Sequence, residues 1–181
     1  MGSVKPAYLI VLALVILFVV FNKLSNPYRK YSTSDYWQTA TLASVADIPD
    51  EALLSPNKNG PILMWAAIGS SDPQLIRELV KRGADVNESD GIFKGTPLTG
   101  AAGYSKNPEI ISTLVELGAD ISKTVHGGET ALMVAARYNK NPGIVTELIS
   151  NGAKKDRKSS SGKTAYQIAK RVKNEVAMSE L

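Results

Sequence analysis

A pair of alanines followed, sixteen residues on, by a glycine occurs three times: Ala66-Ala67 to Gly83-Ala84-Asp85, Ala101-Ala102 to Gly118-Ala119-Asp120, and Ala135-Ala136 to Gly152-Ala153-Lys154, at intervals of 35 and then 34 residues. A period of this length marks a stack of like supersecondary units, each too small to bury its own apolar face and each covered by its neighbours. For a chain of 181 residues the period selects one elongated solenoid, which grows by adding units rather than by enlarging a single core.

One unit explains the others. In Gly95-Thr96-Pro97-Leu98 the threonine can cap backbone N–H groups and the proline has a preset φ with no donor to leave unpaired, so a helix opens here. Ala101-Ala102 keep that helix thin enough for neighbouring helices to approach closely. Asn107-Pro108-Glu109 starts a second helix, with Ile110, Ile111, Leu114 and Leu117 along its inner face. Gly118 ends it, because glycine tolerates the left-handed backbone past a helix terminus. The same devices recur as Asp72-Pro73 and Gly83 in the preceding unit and as Asn141-Pro142 and Gly152 in the next one. Gly162-Lys163-Thr164-Ala165 begins a fourth unit whose first helix runs to about Asn174 and then meets polar residues, as the terminal unit of a stack requires. Ala40 to Asn59 reads as a degenerate amino-terminal cap, which sets the repeat domain at 40–174 and a tail at 175–181.

The amino-terminal segment is of another kind. After a short tail at 1–6, Ala7 to Phe21 has no charge and no polar group except the Tyr8 hydroxyl. As a helix it is about 22 Å long, so it reaches across a hydrocarbon layer of about 30 Å only if Val4 and Leu24 join it and Lys5 and Lys23 snorkel. It reads as an uncleaved single transmembrane anchor, with a cleaved secretory signal as the alternative, although no Ala-x-Ala-like site comes after Phe21. Flanking cations are nearly balanced, Lys5 with the amino terminus against Lys23, Arg29 and Lys30; side chains alone favour a cytoplasmic solenoid, whereas the absence of cysteine favours an oxidising compartment for the repeats. Residues 22–39, polar and turn-forming, read as a linker; their Tyr28, Tyr31, Tyr36 and Trp37 suit either a membrane interface or an aromatic cluster sealing the first unit.

With Gly-x-Thr-Pro-Leu-x-x-Ala-Ala and Gly-Ala-Asp in register, the chain resembles the ankyrin repeat family from about Asn59 to Asn174. The resemblance implies an all-α solenoid of helix-turn-helix units joined by β-hairpin loops, an interaction scaffold with no cofactor, no small-molecule substrate and a protein partner. Each unit carries one residue more than the family pattern before its second helix, and the Asp/Asn-Pro variant looks like bacterial ankyrin proteins. The histidine that usually follows Thr-Pro-Leu is replaced by Met64, Thr99, Met133 and Gln167. That replacement implies loss of the family's hydrogen-bond link between repeats, leaving packing to hold the stack. By analogy with small exported bacterial ankyrin proteins, the role implied is an immunity protein masking a toxic effector in the periplasm, tethered to the inner membrane. The alternative is a structural or stress-related envelope protein without a dedicated partner.

Binding surfaces in such stacks resemble one another in position, lying along the first helices and the loop tips. Those positions here are Trp65, Ile68, Tyr104, Arg137 and Tyr138 on helices and Ile92, Phe93, His126 and Arg157 at tips. Tyrosine, tryptophan and arginine are the types that most often anchor interfaces. For Trp65 and the two tyrosines the other reading is that they fill gaps between units.

Catalysis lacks raw material. One histidine and no cysteine exclude thiol nucleophiles and leave metal clusters and Ser-His-Asp arrangements almost nothing to work with. His126, beside Gly127-Gly128, reads as a solvated loop residue, and neither glycine turn leads into the lysine and hydroxyl of a phosphate loop. The 21 Lys and Arg against 17 Asp and Glu are unevenly spread, with Lys154, Lys155, Arg157, Lys158, Lys163, Lys170, Arg171 and Lys173 gathered at the carboxyl end. A basic end of this kind holds an acidic partner or anionic headgroups, or is merely a solvated terminal face. Without interleaved aromatics it does not read as a nucleic-acid site.

Overall fold

The computed structural model describes residues 28–54, 60–91 and 94–181. The anchor segment 7–21 lies outside the described residues, as do Ile92 and Phe93. Among the described residues no helix is long and apolar enough to cross a membrane. The chain divides into two compact units, 1–30 and 31–181, and the second carries every α-helix described.

Those helices run in pairs: α1 (Ser34–Thr39) with α2 (Leu42–Ala46), a short α3 (Asp50–Leu54), then α4 (Ile62–Gly69) with α5 (Pro73–Lys81), α6 (Pro97–Tyr104) with α7 (Glu109–Glu116), α8 (Ala131–Tyr138) with α9 (Pro142–Ser150), and α10 (Ala165–Arg171) with α11 (Glu175–Glu180). The first helices α1, α4, α6, α8 and α10 pack in one row, each on the next, and the second helices α5, α7 and α9 in another. Ala66, Ala67, Ala101, Ala102, Ala135 and Ala136 are fully enclosed between neighbours, where a longer side chain would push the helices apart. Each second helix presents one apolar face inward: Leu75, Ile76 and Leu79, then Ile110, Ile111 and Leu114, then Ile144, Val145 and Leu148, all essentially without solvent contact. Leu117, at the end of its helix, is half-buried. Gly83, Gly118 and Gly152, with φ of 102°, 97° and 95°, take the left-handed position after each of these helices.

The turn before each second helix repeats a two-step capping device. The Asp72, Asn107 and Asn141 side chains accept from the N–H two residues on, at 2.9, 3.0 and 3.0 Å. Their own N–H groups donate to Ser70 Oγ, Ser105 Oγ and Asn139 Oδ1. First helices open differently from one another. Thr96 with Thr99 and Thr164 with Gln167 form reciprocal capping boxes. Thr130 faces Met133, which has no polar end to answer it, and the Thr130 hydroxyl is buried without a hydrogen-bond partner.

Four expectations are corrected here. First, 34–39 does not belong to a linker, because Trp37 is only 1% exposed and its Nε1 donates to the Tyr31 carbonyl at 2.8 Å. Tyr31, Tyr36 and Trp37 meet edge to face with centroids 5.1 Å apart, so the aromatic cluster seals the first repeat. Gly69 admits α1, since a Cβ there would strike the Ser34 carbonyl and come within 2.9 Å of Trp37 Cβ. Arg82 fastens the remainder of this cap, donating to the Val45 and Ile48 carbonyls and to Asp50 Oδ1 at 2.6 Å. Second, 175–181 is not a tail. Residues Glu175–Glu180 form a helix that buries Ala177, and Glu180 accepts from Thr146 Oγ1 at 2.8 Å and Lys155 Nζ at 3.0 Å.

Third, the hairpin loops are not β-ladders among the described residues. Each is closed by sparse backbone bonds, Asp90 N to Gly95 O, Val125 N to Glu129 O, and Ser159 N to Lys163 O, with one isolated bridge between Thr124 and Thr130. Fourth, packing does not hold the stack alone. Asn139 Nδ2 donates to both the Ala102 and Ser105 carbonyls at 3.1 Å, and Asn174 Nδ2 to the Ala136 and Asn139 carbonyls at 3.0 and 2.8 Å. Asn107 reaches Ser71 O and Asn141 reaches Lys106 O, each at 2.8 Å. Asparagines at the helix-to-helix turns therefore link the repeats where the family's histidine does not.

These bonds bear directly on stability. Asn139→Ala leaves two carbonyls of the adjacent repeat unanswered in a buried turn and is expected to cost about 2 to 4 kcal/mol in urea unfolding, and Asn139→Asp at least as much. Thr130→Val replaces an unpaired buried hydroxyl by a methyl and is expected to be neutral or stabilising, whereas Thr96→Val, which breaks a capping box, costs about 1 to 2 kcal/mol in the same assay.

Candidate functional site

The row of first helices and the hairpins above it enclose a groove of about 920 Å³, lined by side chains of α4, α6, α8 and the loops at Asp90, Gly95 and Val125–Glu129. That size lies in the upper part of the range, about 300 to 1,000 Å³, in which proteins hold ligands or short lengths of chain. Residues four apart on successive helices line it, Met64 with Ile68, Gly100 with Tyr104, and Val134 with Tyr138. This spacing sets each pair on one helix face. A Cβ on Gly100 would come 2.8 Å from Met64 Cγ and 3.2 Å from Ile68 Cδ1, so the bare backbone of α6 is what lets those two side chains lie flat.

Six of the nine residues singled out from sequence line this one groove: Trp65, Ile68, Tyr104, His126, Arg137 and Tyr138. Arg157 is exposed in the last hairpin and does not line the groove; Ile92 and Phe93 are outside the described residues. The tyrosines are not gap fillers. Tyr104 and Tyr138 are 57% and 52% exposed, and their rings stack with centroids 5.7 Å apart at 23°. His126 is exposed at the groove's lip.

Arg137 is committed within the chain. Its guanidinium makes a two-point pair with Glu129, Nη2 to Oε1 and Nε to Oε2, the latter at 3.2 Å, and both side chains are only 17% exposed. The same guanidinium carbon sits 5.9 Å from the Tyr138 ring centroid, within cation–π range. Glu129, Arg137, Tyr138 and Tyr104 thus form a continuous chain from hairpin to helix to ring to ring. Sequence reasoning missed Glu129, Met64 and Thr99; an acid eight residues before Arg137, at the loop end of the same helix, was the available signal for Glu129.

Burial raises the Tyr104 phenol above the ordinary tyrosine value, and the neighbouring Tyr138 adds to the shift. Among the described residues no three His, Asp or Glu side chains converge to hold a metal ion. The arrangement can grip a surface: apolar floor, aromatic rim, and a charge pair already neutralised internally.

Helical pairs in two rows with a concave groove along the first row define a repeat solenoid. The sequence matches the family of ankyrin repeats (3 copies) over residues 63–159 and 101–178, and the chain belongs to the ankyrin repeat family. Ankyrin repeats are in general protein–protein interaction modules. No curated protein matches the sequence.

Because the neutral phenol is the favoured form of Tyr104 in the folded state, the folded protein holds that proton more tightly than the unfolded chain, and stability is expected to fall as pH rises above about 10. Spectroscopic titration of phenolate checks this. Tyr138→Phe removes the second phenolate and is expected to bring the Tyr104 titration part of the way down, the contribution of burial remaining.

Proposed function

We propose that this chain is a non-catalytic, membrane-tethered recognition scaffold whose ankyrin groove captures a protein partner. The observation that carries the reading is the stacked pair Tyr104 and Tyr138, more than half exposed beside Trp65 and Ile68 at the rim of an apolar groove. Large aromatic side chains on a rigid support make anchors that cost little entropy to immobilise. The apolar segment 7–21 supplies the tether. In a bacterial inner membrane the repeats then face the periplasm, a side that the absence of cysteine supports because it suits an oxidising compartment.

Within that reading, the narrower role is an immunity protein that masks a toxic effector: a rigid, preformed groove suits tight and permanent occlusion of one surface. The test has two parts. Carboxyl-terminal reporters active on one side of the membrane only place the repeats; activity confined to the cytoplasmic reporter would remove the periplasmic role. Co-purification with the product of a toxin gene adjacent to this one is expected, and is expected to fall at least about tenfold in Trp65→Ala/Tyr104→Ala with helical circular dichroism retained. Undiminished co-purification by that variant would reject the groove as the binding face.

A further inference from the structure

A second feature lies beyond the groove, on the turns that join first to second helices. Tyr104-Ser105-Lys106-Asn107-Pro108 and Tyr138-Asn139-Lys140-Asn141-Pro142 carry the same Tyr-x-Lys-Asn-Pro pattern one repeat apart. Their tyrosines and lysines together line a shallow hollow of about 410 Å³. The next turn along the stack continues the charge with Arg171 and Lys173, the former exposed, the latter held at a φ of 56° in the left-handed region.

These cations stand in fixed register. Asn139 and Asn141 bond the carbonyls of Ser105 and Lys106, and Asn174 bonds that of Asn139, so each turn is fastened to the one before it by backbone acceptors. Nothing within the described residues neutralises them. Lys106, Lys140, Arg171 and Lys173 form no salt bridge there; of the nearest acids in sequence, Glu109 and Glu175 occupy the first turns of α7 and α11, where helix dipoles favour them, and Glu147 accepts from Asn151.

We propose that this row of turns is a docking surface for an extended acidic segment of a protein, continuous with the groove through Tyr104 and Tyr138. The inference rests on the protein-binding reading above and adds the partner's charge. Lys106 and Lys140 at equivalent places in successive turns, with Arg171 and Lys173 on the turn after them, match an extended chain with carboxylates along one edge, and complementarity of this kind sets encounter rate and register. A single-stranded nucleic acid fits less well. It requires successive ring faces on which to stack, and along these turns Tyr104 and Tyr138 are already stacked on each other.

The experiment is a titration of a fluorescein-labelled oligoglutamate peptide with the full chain, monitored by anisotropy. Saturable binding is expected, weakened about tenfold or more by Lys106→Glu/Lys140→Glu and by raising salt from about 0.05 to 0.5 M. Lys81→Glu, on the outer row of helices, is expected to change it less than about twofold. Equal loss in Lys81→Glu and in the double variant, or no saturable binding at all, overturns the proposal. So does tighter, lysine-dependent binding of phosphatidylglycerol vesicles or of an oligothymidylate. Met64→Ala, which perturbs the groove away from the lysine-bearing turns, is expected to leave oligoglutamate affinity intact. Loss of partner capture in Trp65→Ala with no oligoglutamate binding by any form of the chain would sink the acidic docking surface and leave the groove standing.

Discussion

Everything else in this solenoid relies on close contact between successive first helices. Pairs of alanines at the same place in three repeats have no solvent exposure, and at that spacing dispersion between short side chains and backbone replaces the interlocking of large ones. Thin first helices bring the hairpins of neighbouring repeats together, and Ser160 N can donate to Gly127 O across two of them. They also bring the helix-to-helix turns within reach of one another's asparagines. Larger residues at the alanine positions would widen every one of these gaps at once.

The asparagine bonds give the stack a polar register that alanine packing lacks. Small apolar contacts are tolerant of sliding, because their energy changes little with a shift of a fraction of a residue. A carboxamide between two carbonyls of the adjacent turn is not, since displacement leaves buried acceptors without a donor. Asn139 and Asn174 perform this between α6 and α8 and between α8 and α10. In the first repeat Ser70 stands where Asn139 stands in the third, and there Arg82 takes over, bonding the carbonyls of the degenerate cap. The same need, to satisfy carbonyls at a seam, is met by whichever long donor the local geometry allows.

Rigidity of this kind bears on the groove. Arg137 and Glu129 neutralise each other beneath the rim, and the guanidinium in turn supports the Tyr138 ring. The exposed aromatic pair is therefore held in place by interactions on its protein side. Burial at Tyr104 favours its neutral phenol, and the adjacent Tyr138 adds to the preference.

The repeat count, the helix starts and stops, and the inward faces of the second helices were legible in the amino-acid order alone, because they rest on local rules: proline after Asx at a helix start, glycine at its end, apolar residues at helical spacing. So was the groove's aromatic rim, since residues four apart on a helix share a face whatever packs against them. The helices at 34–39 and 175–180 were not legible, because each is short and polar and owes its order to a neighbouring repeat: Trp37 to the bare edge of Gly69, Ala177 to the space beside α10. Folding in three dimensions was needed to turn Arg137 to Glu129 and to make asparagines, not the family's histidine, the ties between repeats. Those bonds join groups far apart along the chain or in different repeats, and their geometry exists only once the helices have stacked.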